Sequence, residues 1–332
     1  MTSLAVVIPC YRVTRHVLEV IAAVPDSVDL IICVDDACPD ASGDHIEASC
    51  SDPRVRVVRH GLNQGVGGAV MTGYRTAIDL GCEVMVKIDG DGQMDPGLLP
   101  LFVAPILRGD ADYTKGNRFW DLTHIRRMPP VRRMGNLALS FLAKLSTGYW
   151  DVFDPTNGYT AIHARVAAHL PMGSISSRYF FETDVMFRLN TLRARVVDVP
   201  MDARYGDEES HLSVRRALAE FAFKHVRNFG KRIVYNYFLR DLSVASLELV
   251  VGLALALFAV AFGGFHWAQG LASGEPTPVG TIMVATVAAI SGLQFLLAFV
   301  AYDIASVPRS ALHPLLLARA GPCPKGQISP RP

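Results

Sequence analysis

Two carboxylates stand one residue apart in Asp89-Gly90-Asp91-Gly92-Gln93. With the side-chain amide of Gln93 they offer hard oxygen donors. Such donors suit Mg²⁺ or Mn²⁺ shared with a substrate's phosphates better than they suit zinc. Gly90 and Gly92 let the chain bend sharply and leave room for a ligand. The preceding residues, 83–88, read as a buried strand of apolar, partly β-branched side chains. The carboxylates therefore stand where a strand ends, and in open α/β sheets ligands bind there. Taken alone, a solvated Asp-Gly turn would look the same, so the rest of the chain must decide.

The elements that would position this turn alternate. Residues 4–9 form a buried strand ended by Pro9, and 14–24 are helical in pattern. Residues 30–34 form a second strand with Asp35-Asp36 at its end, followed by a loop holding Pro39, Asp40 and Gly43. Residues 54–59 form a third strand, and Asn63-Gln64-Gly65 opens a helix that runs to about residue 80. Strands alternating with helices predict a doubly wound, mostly parallel α/β sheet with helices on both faces. Gly65-Val66-Gly67-Gly68 resembles part of a dinucleotide fingerprint. That fingerprint follows the first strand directly and needs a third spaced glycine, so a dehydrogenase is set aside.

Further along, 112–118 reads as a strand entering a loop. An Arg- and Pro-rich segment follows, with Arg126, Arg127, Arg132 and Arg133, and then an amphipathic helix over 133–145. Clustered arginines suit a phosphate-bearing acceptor; the competing reading is a basic loop touching anionic lipid. A helix is expected over 178–192, with Glu182 and Asp184 in its first turn, and a strand over 196–200. The polar loop 202–213, with Arg204, is a candidate lid. Residues 213–240 interleave basic and aromatic side chains at helical spacing, as in helices lying on an anionic membrane surface.

Half of the residues are hydrophobic, and the excess lies in the last third. Residues 242–265 and 279–302 are each long enough to span a bilayer. The segment 266–278 between them has no Lys or Arg, whereas the outer flanks carry Lys231, Arg232, Arg240, Arg309, Arg319 and Lys325. The positive-inside rule then places both termini and the residues before the spans in the cytoplasm, at the cell membrane. The expected organisation is a catalytic domain over 1–212, juxtamembrane helices over 213–240, a two-helix hairpin over 241–305 and a poorly ordered tail over 306–332. A net charge of +1 gives no sign of nucleic-acid binding, and none is expected. The six cysteines form no CxxC pair and read as small buried hydrophobes in a reducing compartment. No signal peptide is expected, because the N-terminus lacks a basic region and runs straight into a strand.

Val7-Ile8-Pro9-Cys10-Tyr11, Val34-Asp35-Asp36 with Asp40, Asn63-Gln64-Gly65 and Asp89-Gly90-Asp91-Gly92-Gln93, in that order, resemble the family 2 glycosyltransferases. The group that looks most similar is that of the dolichol-phosphate mannose synthases and bacterial polyprenyl-phosphate sugar transferases. The resemblance covers roughly residues 4–240 and implies a GT-A-like fold. It implies that Pro9, Tyr11, Asp36, Asn63 and Asp89 bind the nucleotide, with Asp89 near the ribose and donor phosphates. Asp91 and Gln93 would hold the divalent metal, Mg²⁺ or Mn²⁺. Where the family often has Asn or Glu after the Tyr, this chain has Arg12. Lys115-Gly116-Asn117-Arg118 resembles the family's Gly-Ser-Arg segment, and Asp154-Pro155-Thr156-Asn157-Gly158-Tyr159 its Asp-x-x-(Ser/Thr)-Gly-Phe segment. Arg118, Arg133 and Arg132 would meet the acceptor phosphate. Asp89, Asp91 and Asp154 would form the catalytic set, with Glu182, Asp184 and Arg204 as further sugar or loop contacts.

The implied reaction moves one sugar from a UDP- or GDP-linked donor to a polyprenyl phosphate, with inversion. A polyprenyl monophosphate is already an anion near neutral pH, its second pKa being about 6 by analogy with phosphorylated side chains. Asp154 is therefore expected to position a substrate rather than take up a proton. A processive polysaccharide synthase is one alternative; its Gln-x-x-Arg-Trp motif is absent, since none of Trp120, Trp150 and Trp267 follows an arginine. A catalytically silent membrane scaffold is another. The sugar, the base and the polyprenol stay open, as does assembly into a homo-oligomer.

Overall fold

The computed structural model describes residues 3–121, 130–155, 157–202 and 214–316. The chain divides into a larger unit, residues 1–229 with 308–332, and a smaller one, residues 230–307.

The larger unit is built on seven strands. They are β1 (Leu4–Cys10), β2 (Leu30–Asp35), β3 (Val55–Arg59), β4 (Val84–Lys87), β5 (Tyr113–Asn117), β6 (Thr160–His163) and β7 (Val196–Pro200). Their spatial order is β3-β2-β1-β4-β6-β5-β7. β6 runs antiparallel to β4 and β5, while the other pairings are parallel. β1, β2 and β4 are Val/Ile-rich and almost wholly buried, as strands covered on both faces must be. On one face Leu4, Val6 and Ile8 pack with Val17 and Ile21 of α1 (Val17–Ala22) and Ile46 of α2 (Ser42–Ser49). On the other, Val7 meets Gly73 of α3 (Val66–Asp79), where a Cβ would stand 3.1 Å from a Val7 methyl. The core continues through Phe102 and Ile106 of α4 (Leu99–Leu107). Completing the described part of this unit are α5 (Pro130–Thr147), α6 (Ala164–Ala167), α7 (Phe181–Leu192), α8 (Val214–Val234, which passes into the smaller unit) and α11 (His313–Leu316).

Three elements differ from the sequence expectation. The loop after β2 contains α2, whose N-terminus is fixed from outside: Gly43 N–H donates to Asp35 Oδ2 at 2.6 Å. β6 has no counterpart among the expected strands. The chain after the second apolar helix, expected to be poorly ordered from residue 306, is docked up to residue 316. Leu312 N–H and His313 N–H donate to the buried Asp112 carboxylate at 2.7 and 2.8 Å, and the His313 ring meets the same group at 2.8 Å. His313 also stacks on His163, with ring centroids 4.2 Å apart. Burial alone would raise the Asp112 carboxyl, but the bonds from His313, Leu312 and Arg195 hold it below the ordinary carboxylate range.

The smaller unit is a helical hairpin, α9 (Val244–Ser273) and α10 (Val279–Ala305). Both helices are long and apolar enough to cross a membrane, and only 22% and 17% of their most apolar windows are buried. They approach closely at glycine: a Cβ on Gly292 would lie 2.9 Å from Ala256 N and 3.1 Å from Gly252 O. At one end Arg232 grips Asp303 through two bonds of 2.5 and 3.0 Å, and Tyr237 donates to Asp303 at 2.5 Å.

Candidate active site

The candidate residues come chiefly from four strand ends, that of β5 delivering Arg118, and one strand beginning. β1, β2 and β4 deliver Tyr11, Asp36 and Asp89 at their C-terminal edge. Because β6 is antiparallel, its start lies at that same edge, and this brings the 154–159 turn beside the β4 turn. A parallel strand would have carried that turn to the opposite edge. Tyr159 locks the two turns together: its ring stacks on Phe102 at 3.9 Å and its hydroxyl donates to Asp95 O at 3.2 Å.

In the β4 turn, Lys87 Nζ lies 2.7 Å from Asp89 Oδ1. Asp91 Oδ1 accepts from Gln93 N–H at 3.0 Å, an Asx-type turn around Gly92, whose φ is +78°. A Cβ on Gly158 would stand 2.8 Å from Asp89 Oδ2. The missing side chain thus leaves a cradle beside that carboxylate. Among the described residues no group of three or more His, Cys, Asp or Glu could enclose an ion. The Asp89, Asp91 and Gln93 oxygens instead make a hard, open donor set. It fits a divalent cation that shares its remaining coordination with substrate phosphates.

On the neighbouring side Asp154, fully buried, takes Arg118 in a two-pronged bond: Nε to Oδ2 at 2.7 Å and a terminal NH to Oδ1 at 3.1 Å. Arg118 keeps 32% of its side chain exposed. Its planar fork is therefore aimed by a carboxylate behind it. Arg133 stands exposed in the first turns of α5. The backbone of Arg132 belongs to the same turns, its side chain lies outside the described residues, and so does the whole of Arg204.

The nucleotide-side candidates are arranged differently. Tyr11 is 45% exposed, and Pro9 lies one residue inside the end of β1, which runs to Cys10. Arg12 follows at φ +59°, in the left-handed region that costs most residues energy and that Asn tolerates; its N–H donates to Cys38 Sγ at 3.0 Å. Asp36 is 2% exposed and spends its carboxylate within the protein. Gln64 N–H and Gly65 N–H donate to it at 2.8 and 2.7 Å, and His60 Nδ1 meets it at 2.7 Å. Asn63 donates to Asp36 O at 3.2 Å and is itself exposed. Asp36 thus organises the 63–65 loop, and Tyr11 and Asn63 are the members of this group that face outward.

The glycines of 65–68 serve packing. A Cβ on Gly65 would lie 2.5 Å from Ser177 O, and one on Gly67 would strike the Phe181 side chain at 2.6 Å. That contact seats α7, whose first turn carries Glu182 and Asp184. Glu182 is half-buried, and desolvation raises its carboxyl against the pull of Lys87 and Lys115. Asp184, expected beside it as a sugar contact, is turned into the protein instead. It is 1% exposed and accepts from Ser176 N–H at 2.8 Å and Asn228 at 3.1 Å.

The sequence reading gives no role to His60, Lys87, Lys115 or Asp198. Asp198 of β7 accepts from Asn117 and from Phe153 N–H, and its other oxygen is buried without a hydrogen-bond partner. Burial raises its carboxyl to about 6. For the lysines a signal exists: a charged residue interrupting an apolar strand run, as in Val86-Lys87-Ile88.

Comparison with known proteins bears on the family and the fold. Residues 5–170 match the profile of Glycosyl transferase family 2. An undecaprenyl-phosphate mannosyltransferase of Micrococcus luteus is 33% identical over 181 residues, covering 54% of this chain and 72% of that protein. A UDP-N-acetylglucosamine–dolichyl-phosphate N-acetylglucosaminyltransferase of Methanococcus voltae is 30% identical over 152 residues, 46% of this chain and 60% of that one. Among solved structures, glucosyl-3-phosphoglycerate synthase of Mycobacterium tuberculosis, in complex with Mn²⁺, UDP-glucose and phosphoglyceric acid, superposes with a TM-score of 0.52 at 20% identity over 70% of this chain and 79% of that one; it shares the fold. With its mostly parallel sheet, its DxD turn and this match through residue 170, the chain belongs to glycosyl transferase family 2 and is a glycosyltransferase of GT-A-like fold.

Proposed function

We propose that the protein transfers a single sugar from a nucleoside diphosphate donor, UDP- or GDP-linked, to a polyprenyl phosphate, with inversion at the sugar's reacting carbon. The observation that carries this reading is the meeting of the β4 turn with the 154–158 turn. It sets the Asp89–Asp91–Gln93 donor set beside an arginine fork held by a buried carboxylate, in a chain that continues into two exposed apolar helices. The names of the two relatives quoted above support the acceptor class.

Tyr11 and Asn63 face the nucleotide, and Asp36 shapes the loop that presents Asn63. Asp89 borders the ribose and donor phosphates. Asp91 and Gln93 would hold Mg²⁺ or Mn²⁺, which when bound supplies Lewis-acid stabilisation of the departing diphosphate. Arg118, with Arg133 and Arg132, orients the acceptor phosphate so that its oxygen lines up opposite the leaving group. No general base is required, because the acceptor is already an anion. Asp154, buried and committed to Arg118, aims that arginine. Among the described residues Glu182 is the acid left to meet the sugar; Arg204 is retained as a loop contact.

The lysine- and arginine-rich flanks of the hairpin support a catalytic unit at the cytoplasmic face. The docking of residues 308–316 on the unit that precedes the hairpin supports an even number of crossings. The test uses membranes carrying the full chain, polyprenyl phosphate, Mn²⁺ and a panel of radiolabelled UDP- and GDP-sugars, with label counted in the organic phase. Label from one donor that needs metal and vanishes in Asp91→Ala is the expected result. Nucleotide binding without lipid label from any donor would overturn the acceptor assignment.

A further inference from the structure

One row of side chains across the site half of the sheet has no part in the scheme above. Lys87 of β4 is in register with Thr160 of β6, Thr160 with Lys115 of β5, and Lys115 with Asp198 of β7. Partners in register point to the same face, so the four form a single rung. The two lysines are 1% and 0% exposed, and lysine is almost never buried without a partner. Each ammonium leans toward a different substrate-facing turn. Lys87 Nζ reaches Asp89 at 2.7 Å and lies 5.6 Å from the centre of the Phe181 ring. Lys115 Nζ donates to the backbone carbonyl of Asn157 in the 154–158 turn.

Gly158 is the point where the two meet. A Cβ there would collide with Lys87 Nζ and crowd Asp89 Oδ2. A Cβ on Gly116, next to Lys115, would lie 2.7 Å from Asn157 Nδ2. The glycines on either side of the rung are thus needed for the lysines to approach their turns. Burial drives the Lys115 ammonium toward deprotonation, with Glu182 and Asp154 pulling the other way. The charge balance gives a reason for the arrangement. Asp89, Asp91, Asp154, Asp198 and Glu182 gather where an anionic donor and an anionic acceptor must both enter.

We propose that Lys87 and Lys115 are positioning residues, Lys87 fixing the donor-side carboxylate Asp89 and Lys115 fixing the acceptor-side turn through Asn157, so that each substrate surface is seated on its own buried cation. The inference rests on the transferase reading and adds that the sheet's interior supplies the division between donor and acceptor subsites.

The full chain in detergent or membranes is tested as Lys87→Met and Lys115→Met. Half-saturating donor and Mn²⁺ should rise about tenfold or more in Lys87→Met with half-saturating polyprenyl phosphate unchanged, and the pattern should reverse in Lys115→Met. Titration calorimetry of Mn²⁺ with UDP or GDP gives a readout apart from turnover: affinity should fall in Lys87→Met and hold in Lys115→Met. Should Lys87→Met fail to accumulate folded, Lys87→Gln, which keeps a donor without the charge, is read in the same way. Variants that lose thermal stability while both half-saturations stay put, or that shift both alike, overturn the proposal. If the wild-type chain binds nucleotide but labels no lipid, the polyprenyl-phosphate acceptor reading has failed; the calorimetric arm still decides the role of Lys87.

Discussion

The two sides of the candidate site hold their carboxylates by opposite means. On the nucleotide side, Asp35 and Asp36 are answered mainly by backbone N–H groups: Cys38 and Gly43 for one, Gln64 and Gly65 for the other. On the side where the sheet turns antiparallel, Asp89 and Asp154 are answered by side-chain cations, Lys87 and Arg118. A carboxylate held mainly by amides shapes a loop. A carboxylate held by a cation is charge-balanced and can present that cation, or its own second oxygen, to a substrate. The nucleotide side is therefore organised for shape and the transfer side for charge.

The sharpest way to break that contrast is Arg118→Ala. It takes the arginine cation away from Asp154, which has no exposed surface, and should cost about 3 kcal/mol of stability. Thermal unfolding of the full chain should show most of the loss recovered when Asp154→Leu is added, with acceptor use still lost. If the double variant is no more stable than Arg118→Ala, the pair is not a charge-balanced unit.

Asp36→Ala probes the amide-held side and should cost about 2 kcal/mol, the penalty for leaving buried N–H groups unpaired. Half-saturating donor should rise while acceptor half-saturation stays constant. A rise in both would show that the two sides are not independent.

A third carboxylate, Asp112, extends the comparison to the docked C-terminal segment. His163, which stacks there, is lowered to about 4, first by burial and then by His313 and Arg165. Its ordinary value is about 6.5. Between those values the unfolded chain takes up the proton and the folded one resists, so stability falls as pH drops through that window. Limited proteolysis near residue 306 should be slow at neutral pH and faster at pH about 5. His163→Phe should remove that dependence, and an unchanged pH profile in the variant would sink the assignment.

The smallest effect should come from Tyr159→Phe. It removes one hydroxyl bond to Asp95 O and keeps the stacked ring, for about 1 kcal/mol or less. A loss as large as that of Arg118→Ala would mean that the two turns are coupled through this hydroxyl rather than through β6.

What could be read in advance divides along physical lines. β1, β2 and β4 announce themselves because a strand buried on both faces must be a continuous apolar run. The Asp89-Gly90-Asp91 turn is legible because two acids follow a buried apolar run, and the motifs at Asp36 and Asn63 separate it from a solvated Asp-Gly turn. β6 is silent: Thr160-Ala161-Ile162-His163 is too short for a period to show, and only its register against Lys87 and Lys115 makes it a strand. α2 is silent too, since its start is fixed by a carboxylate from β2 rather than by its own residues. The burial of Asp36 and Asp184 depends on amides brought from Gln64, Gly65 and Ser176, and no local pattern encodes that. The docked segment at 308–316 depends on Asp112, two hundred residues earlier.

That separation in sequence bears on the order in which the protein is made. The carboxylate of Asp112 emerges from the ribosome early, and of its partners among the described residues only Arg195 N–H precedes the hairpin. Leu312 and His313 are synthesised after both apolar helices. The larger unit therefore cannot complete its own hydrogen bonding until the hairpin has been produced and the chain has come back to it. A nascent chain stalled within α9 or α10 would carry a buried acid short of its donors, so the finished sheet edge records that the whole hairpin has been made.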